Sequence, residues 1–232
     1  MKKKNFICFS NRSSVYKHED LRSIRNASIL TQIDSINYLT KKKYVAFRMG
    51  RNEDIKLPEN LDRNIIDYAF DDKNKSDTLD LFLHSKSNFI ISNSGGINNF
   101  ATIFRKPKFV VDFTQFNDLN TENSYFFPLL IPKIFRKKFN KQPLKYSEVF
   151  NLGLDKLKTE ENLEEIGYEI VDNNSKEILE GTKEMLDIMD KKNVYSNTKQ
   201  KKFWDMVNEY SSNIGSFKVS EYFFDKNNHL FE

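Results

Sequence analysis

The feature that most constrains the fold is a regular alternation of short apolar runs and amphipathic segments before residue 114. Apolar runs that predict strands lie at residues 5–9, 44–49, 64–70, 89–91 and 109–113. Helical spacing of apolar residues over 28–42, over 76–86 and after residue 96 predicts helices between them. Such alternation with short connections is typical of a parallel sheet wound with helices. The strand runs are almost continuously apolar, as in sheets that are covered on both faces.

The regular pattern ends after residue 113. Residues 114–145 predict a long loop, and loops of this length are uncommon unless they are functional. Residues 146–232 predict a mainly helical part, with a short strand at 168–172 and a final apolar segment at 217–224 that packs back onto the core. No internal repeat or linker separates a second domain. We therefore predict one domain over residues 1–232: an open Rossmann-like α/β sheet with C-terminal helices.

A glycine pair follows the fourth predicted strand, in the stretch Ser92-Asn-Ser-Gly-Gly96. A strand that runs through small polar residues and glycines into a helix can bind an anion with free backbone N–H groups. The alternative is an ordinary strand–helix turn in which Ser94 is the N-cap. The stretch by itself favours neither interpretation.

Cationic and small polar residues also follow the other strands. Arg12 follows the first strand, and Arg48-Met-Gly-Arg51 ends the second. In an open parallel sheet these positions face one crevice, where arginines and a glycine-rich turn can bind a diphosphate. A surface ion pair for Arg12 and burial of Arg48 against Asp67 or Asp80 are the alternatives. Asp80 lies in an apolar helix face, where it caps, pairs with an arginine or binds a ligand hydroxyl; we expect pairing.

Several classes of protein are excluded or disfavoured. The sequence contains no Walker-type phosphate loop, no Gly-x-Gly-x-x-Gly and no serine-hydrolase elbow. Its three histidines are scattered, with His84 expected at the surface or as a cap, and its one cysteine, Cys8, is expected in the core. The net charge of +4 is too small for a dedicated nucleic-acid binder. No apolar stretch approaches the ~20 residues of a membrane span, so we expect a cytoplasmic protein.

Residues 133–145 carry six basic side chains and no acidic one. Such a segment can contact a phosphate-bearing ligand or the anionic inner face of a membrane. A solvated basic loop is the alternative.

Taken together, the motifs resemble a bacterial family of glycosyltransferases associated with the synthesis of surface polysaccharides. The resemblance runs over about residues 8–135 and the C-terminal end. It is carried by Phe9-Ser-Asn-Arg12-Ser-Ser-Val-Tyr16, Arg25-Asn-Ala-Ser-Ile29, Phe47-Arg-Met-Gly50, Ile66-Asp-Tyr-Ala69, Ser76-Asp-Thr-Leu-Asp80, Ser92-Asn-Ser-Gly-Gly96, Lys106-Pro107, Ile131-Pro-Lys133 and Val219-Ser-Glu-Tyr-Phe-Phe224.

This family is similar to the donor-binding half of a GT-B glycosyltransferase, and distantly to fucosyltransferases with a His-Val-Arg motif. The resemblance implies that Arg12 contacts the donor diphosphate, together with Ser94, Gly95 and Gly96. Further substrate-binding residues that it implies are Arg25, Asn26, Arg48, Gly50, Arg51, Asp80, Ser92 and Asn93. It also implies a metal-independent reaction without a cofactor, in which positive groups stabilise the departing nucleoside diphosphate.

The sequence departs from the pattern of the resembled enzymes in two ways. Ser10-Asn11 replaces the usual His-Val, and Ser13 stands where an aspartate is expected. In addition, GT-B enzymes close two Rossmann-like halves, and this chain has room for one. The function that the resemblance implies is the transfer of a sugar from a nucleotide-diphosphate sugar to a glycan or lipid-linked acceptor. The alternative is an inactive donor-binding module that associates with another transferase subunit.

Overall fold

The computed structural model describes residues 5–13, 23–51, 53, 55–116, 129–192, 196–210 and 217–232. Its main element is a sheet of seven parallel strands, accompanied by a separate antiparallel strand pair. The strands are β1 (Phe6–Phe9), β2 (Val45–Arg48), β3 (Ile65–Ile66), β4 (Ile90–Ser92), β5 (Lys108–Phe113), β6 (Leu129–Pro132), β7 (Ile134–Lys137), β8 (Tyr168–Val171) and β9 (Lys218–Val219). The order in the main sheet is β3-β2-β1-β4-β5-β6-β9, and β7 pairs with β8. The predicted parallel α/β class is thus confirmed.

Eight α-helices accompany the strands within the described ranges. They are α1 (Ile33–Lys41), α2 (Asp77–Lys86), α3 (Asn99–Ile103), α4 (Tyr146–Asn151), α5 (Glu160–Glu165), α6 (Ser175–Met189), α7 (Asn197–Tyr210) and α8 (Glu221–Lys226). Ser76, the first residue of the predicted helical segment 76–86, caps α2 by accepting a hydrogen bond from the N–H of Leu79. Asn174 caps α6 in a capping box with Glu177. None of the helices in the described part of the chain is long and apolar enough to cross a membrane.

The core has two parts because the side chains of each strand alternate between the faces of the sheet. Ile7 and Phe9 of β1 belong to the larger cluster, which includes residues of α1 and α6. Cys8 belongs to the smaller cluster, with residues of α2 and α3. Cys8 is fully buried, so its predicted place in the core is confirmed, and burial raises the pKa of its thiol.

Helix α6 approaches the sheet at Gly181. A Cβ atom at this position would lie 2.3 Å from Cζ of Phe109, a fully buried residue of β5. Glycine is therefore needed for close contact between this helix and the sheet.

The structure corrects the predicted organisation after residue 113. The segment 114–145 contains β6 and β7, whereas residues 117–128 of the predicted loop lie outside the described residues. β6 extends the parallel sheet, and β9 from the terminal segment pairs with β6. Strand β6 was missed because Pro128 precedes and Pro132 ends a run of only four buried residues, and proline argues against a strand inside a sheet.

Three smaller predictions were also wrong. The predicted strand at 64–70 contains only the two residues of β3, because a 3₁₀ turn begins at Tyr68. The apolar spacing over residues 76–86 also predicts that Phe82 faces the core from α2, but 53% of its surface is exposed. His84 is fully buried instead of lying at the surface, and its ring packs 5.0 Å from that of Phe100. Burial lowers the pKa of His84, because the charged imidazolium is the form that desolvation disfavours.

The strand order determines where a ligand can bind. From β1 the chain passes to β2 and β3 on one side, and then to β4, β5 and β6 on the other. The order reverses between β1 and β4, so the connections that leave their carboxyl ends diverge and open a crevice.

Candidate functional site

A cavity of about 470 Å³ lies beyond the carboxyl ends of β1 and β4, where the strand order reverses. We call it the crevice cavity. Its walls come from the segments that follow β1, β2 and β4 and from α2 and the helical turns before α3. The lining residues are Ser10, Asn11, Arg12, Ser13, Gly50, Arg51, Glu53, Asp77, Asp80, Leu81, Asn93, Gly95, Gly96, Ile97 and Phe100. Its volume lies within the ~300–1,000 Å³ that is typical of sites for small molecules.

Asn93 fixes the relative positions of the segments around the crevice. Its Oδ1 accepts a hydrogen bond of 2.8 Å from the backbone N–H of Arg12, and its Nδ2 donates one of 2.8 Å to the carbonyl of Arg25. Asn93 is almost fully buried, so both bonds are shielded from water. The amide therefore joins the ends of β1 and β4 to residues 23–28.

Arg12 is held in one orientation at the wall of the crevice cavity. Only 8% of its surface is exposed, and its Nε donates a hydrogen bond of 3.2 Å to Oδ1 of Asn26. A guanidinium group that is already oriented loses little conformational freedom when it binds an anion.

Arg51 lies at the outer edge of the same cavity and pairs with two carboxylates of α2. It contacts Asp77, and its Nη2 lies 3.3 Å from Oδ2 of Asp80. The predicted pairing of Asp80 with an arginine is therefore confirmed. The hydrogen bonds that Arg51 donates to Asp77 and Asp80 raise the pKa of Arg51.

The crevice cavity does not carry a net positive charge. Its lining contains two guanidinium groups, from Arg12 and Arg51, and three carboxylates, from Glu53, Asp77 and Asp80. A purely anionic ligand would be repelled by part of this lining. A ligand that combines a phosphate group with sugar hydroxyls fits better, because carboxylates accept hydrogen bonds from hydroxyls.

The glycine pair lines the same cavity as Arg12. Gly95 and Gly96 have backbone angles open to other residues, and neither has a positive φ. A Cβ on Gly95 would come no closer than 3.8 Å to another heavy atom, and one on Gly96 would meet nothing within 4 Å. Neither strain nor packing requires glycine here, and the open space beside both residues would let a ligand approach this backbone closely.

The helix after the glycine pair is shorter than the sequence pattern predicted. A 3₁₀ turn covers Gly96–Asn98, and α3 adds five residues. So short a helix has a small macrodipole, because few aligned peptide units contribute to it. Anion binding here would thus depend on individual N–H groups and on Arg12.

Arg48 has a different position from the one expected of a phosphate-binding residue. It is 1% exposed; its Nη1 lies 3.3 Å from Oδ2 of Asp67, and its Nη2 lies 3.4 Å from Oε2 of Glu53. The burial against Asp67 that we considered from the sequence is therefore confirmed. A Cβ on Gly50 would lie 2.5 Å from Oε1 of Glu53, so glycine leaves room for the carboxylate that pairs with Arg48.

Four other expected residues do not line the crevice cavity. Ser92 is completely buried in β4, and Ser94 is half-buried beside the cavity lining. Arg25 donates a hydrogen bond of 3.1 Å from Nη1 to Oε1 of Gln115. Asn26 contributes to a neighbouring cavity, described below.

Sequence reasoning missed the apolar wall and two of the three carboxylates, Glu53 and Asp77. Asp77 lies three residues before Asp80 on α2, and Ile97 and Phe100 are likewise three residues apart after the glycine pair. This spacing places side chains on the same face of a helix. Applied to Asp80 and to the helix after the glycine pair, this spacing could have identified Asp77, Ile97 and Phe100 from the sequence.

A second cavity, of about 280 Å³, adjoins the crevice cavity, and we call it the side cavity. The two share Asn11, Ser13 and Glu53. The remaining lining residues of the side cavity are Asn26, Ala27, Ser28, Ile29, Arg48, Ile55, Glu160 and Asp172.

The basic segment 133–145 is largely compensated by carboxylates. Lys133 is fully buried and pairs with Asp172 at 2.6 Å, and three further basic side chains pair with glutamates on or after α5. These pairs are Arg136–Glu169, Lys138–Glu164 and Lys141–Glu169. The segment thus offers much less positive charge to an anionic surface than its sequence suggests.

No group of three or more histidine, cysteine, aspartate or glutamate side chains in the described residues is arranged to hold a metal ion. Comparisons with protein-family models, with curated proteins and with solved structures found no significant match for this chain.

Proposed function

We propose that the chain binds a nucleotide-diphosphate sugar in the crevice cavity and acts as a glycosyltransferase, or as the donor-binding domain of one. The observation that carries the proposal is that Arg12, Gly95 and Gly96 line one cavity, at the point where a parallel sheet reverses its strand order. The family resemblance of the sequence points to the same class of substrate.

In this proposal each part of the cavity binds a different part of the donor. Arg12 and the backbone of the glycine pair contact the diphosphate, since a guanidinium group forms strong charge-assisted hydrogen bonds to phosphate oxygens. Asp77 and Asp80 accept hydrogen bonds from hydroxyls of the ribose or of the sugar. Leu81, Ile97 and Phe100 form the apolar wall that the base contacts.

The chemical contribution of these residues would be to stabilise the leaving group. When the bond between the sugar and the diphosphate breaks, negative charge develops on the diphosphate. The Arg12 guanidinium, held by Asn26, would stabilise this charge without reorganising. A polysaccharide or lipid-linked acceptor and a cytoplasmic location belong to the same proposal.

Titration calorimetry with a panel of nucleoside diphosphates and nucleotide sugars tests the proposal. We expect one base to bind best, and Arg12→Ala to weaken its binding about 10- to 100-fold, since hydrogen bonds to charged groups contribute ~1.5–3 kcal/mol. Arg63→Ala is the matched control, because Arg63 is exposed and lines neither cavity. If no nucleotide binds to the unmodified protein, the proposal fails. An unchanged affinity in Arg12→Ala would remove this residue from the site.

A second candidate function is an inactive donor-binding module of a transferase complex. It is favoured by Ser10, Asn11 and Ser13, which line the cavity where the resembled enzymes have a histidine, a valine and an acid. The two candidates differ in turnover. A nucleotide sugar that binds but is neither hydrolysed nor transferred, together with co-elution with a co-expressed transferase subunit, would favour the module.

A further inference from the structure

The side cavity has the features of a built binding site. Its polar groups come from several separate segments of the chain: those after β1 and β2, residues 26–29, the first turn of α5 and the end of β8. Hydrogen bonds hold two of these segments together. The N–H of Glu160 donates to Oγ of Ser23 at 2.9 Å, and the N–H of Ile24 donates to the carbonyl of Lys158 at 3.3 Å.

Lys133 holds two further lining residues of the side cavity in place. Its buried ammonium group donates hydrogen bonds of 2.6 Å both to the carbonyl of Asn26 and to Oδ1 of Asp172. Asn26 in turn accepts from Arg12, the residue that we place at the diphosphate. Lining residues of the side cavity and Arg12 of the crevice cavity thus belong to one hydrogen-bonded network.

The lining also offers hydrogen-bonding atoms that no described protein group uses. Oδ1 of Asn11, which borders both cavities, has no hydrogen-bond partner among the described residues. The same holds for Nε of Arg48, a residue that is 99% buried and lines the side cavity, so that an acceptor and a donor are both unused there. Buried polar groups without partners are costly, so these two atoms mark places in the cavity wall where the described protein groups leave hydrogen-bonding capacity unused.

Charge and size narrow the class of this ligand. The cavity is lined by the carboxylates of Glu53, Glu160 and Asp172, which disfavour an anion, and no metal-binding cluster is formed by the described residues. Carboxylate, amide and hydroxyl groups together match a neutral compound with several hydroxyls. A volume of about 280 Å³ lies at the lower end of small-molecule sites, which suits one sugar ring better than a nucleotide.

We propose that the side cavity binds the sugar of the acceptor, with Glu160 accepting a hydrogen bond from one of its hydroxyls. This inference rests on the proposed function, and it places donor and acceptor in adjoining cavities of the same chain. Burial is the main cause that raises the pKa of Glu160. The charge of Lys133 lowers this pKa, and the charge of Asp172 raises it. The position of Glu160 at the cavity is the basis of the assignment.

Saturation-transfer NMR with the methyl glycosides of glucose, galactose and N-acetylglucosamine tests this assignment. We expect at least one glycoside to bind, and Glu160→Gln to weaken it about tenfold through loss of a charged hydrogen-bond acceptor. Ile55→Trp should abolish the signal by filling the cavity, because Ile55 is a partly exposed lining residue. Glu165→Gln is the matched control, since Glu165 is on the same helix but does not line the cavity.

The outcomes separate this inference from the proposed function. If a nucleoside diphosphate binds but no glycoside does, the side cavity is not an acceptor site and the proposed function is unaffected. Equal glycoside binding in the unmodified protein, Glu160→Gln and Ile55→Trp would also overturn the inference. If glycosides bind at the side cavity but no nucleotide binds to the chain, the acceptor role falls together with the proposed function.

Discussion

Replacement of Arg48 by methionine distinguishes a structural arginine from a ligand-binding one. Arg48 ends β2 with 1% of its surface exposed, and its guanidinium group lies between Glu53 and Asp67. Methionine keeps most of the apolar stem but removes the charge and all the donors. The structure predicts that this change destabilises the fold and has little direct effect on nucleotide binding.

The expected size follows from the surroundings of the two carboxylates. Removing one partner of a buried ion pair typically costs ~3–5 kcal/mol, because a charge is left buried without compensation. Asp67 is 22% exposed and also accepts a hydrogen bond from the N–H of Leu57 at 2.9 Å, so part of its charge stays solvated. Glu53 is only 7% exposed. We therefore expect a loss of about 2–4 kcal/mol in the free energy of unfolding.

Urea denaturation followed by circular dichroism measures this loss, and at ~2–4 °C per kcal/mol it should lower Tm by roughly 5–15 °C. Arg51→Met is the matched control: Arg51 is 57% exposed, and exposed pairs contribute at most ~1 kcal/mol. Adding Asp67→Asn to Arg48→Met should restore part of the loss by removing an unpaired charge. An unchanged stability combined with a tenfold weaker nucleotide affinity would refute this argument and return Arg48 to the ligand site.

Three further changes test the pocket and the core. Gly96→Ala should leave the free energy of unfolding unchanged within ~0.5 kcal/mol, since its Cβ meets open space. The same change should weaken nucleotide binding in calorimetry. Full retention of affinity would contradict the close approach of a ligand to this backbone. Asp77→Asn should weaken the binding of the nucleotide sugar about two- to fivefold, since it replaces a charged acceptor of ligand hydroxyls by a neutral amide, and unchanged or stronger binding would show that Asp77 makes no such contact. Burial raises the pKa of Asp112 from 3.8 to about 7, so the native state binds its proton more tightly than the unfolded state does. The stability that this group contributes is complete below pH ~4 and is lost as pH rises through about 7. Denaturation at pH 5 and pH 8 should therefore show that Asp112→Asn increases the free energy of unfolding at pH 8. Equal effects at both pH values would argue against this shift in the pKa.

Much of the first half of the fold could be predicted from local sequence. Ser28 and Ser76 cap helical segments where the pattern placed them, and the buried strands around Cys8 and Ile90 were recognised from their apolar runs. These signals are local, since capping hydrogen bonds and strand alternation involve residues a few positions apart. Strand β6 was missed because its pairing with β5 and β9 depends on residues distant in the chain.

The site shows the same division. The amino-acid sequence determined which chemical groups follow the strands: a guanidinium group at residue 12, a glycine pair at 95 and 96, and an aspartate in a helix at residue 80. Only the tertiary structure decided that Arg12 is oriented by Asn26 at the cavity wall, whereas Arg48 is buried between carboxylates. In the sequence, both arginines lie at or just after the end of a predicted strand. Their roles differ because Arg48 pairs with the carboxylates of Glu53 and Asp67, whereas Arg12 donates to the neutral amide of Asn26. Both sets of contacts form only when the loops that follow the strands pack together in the tertiary structure.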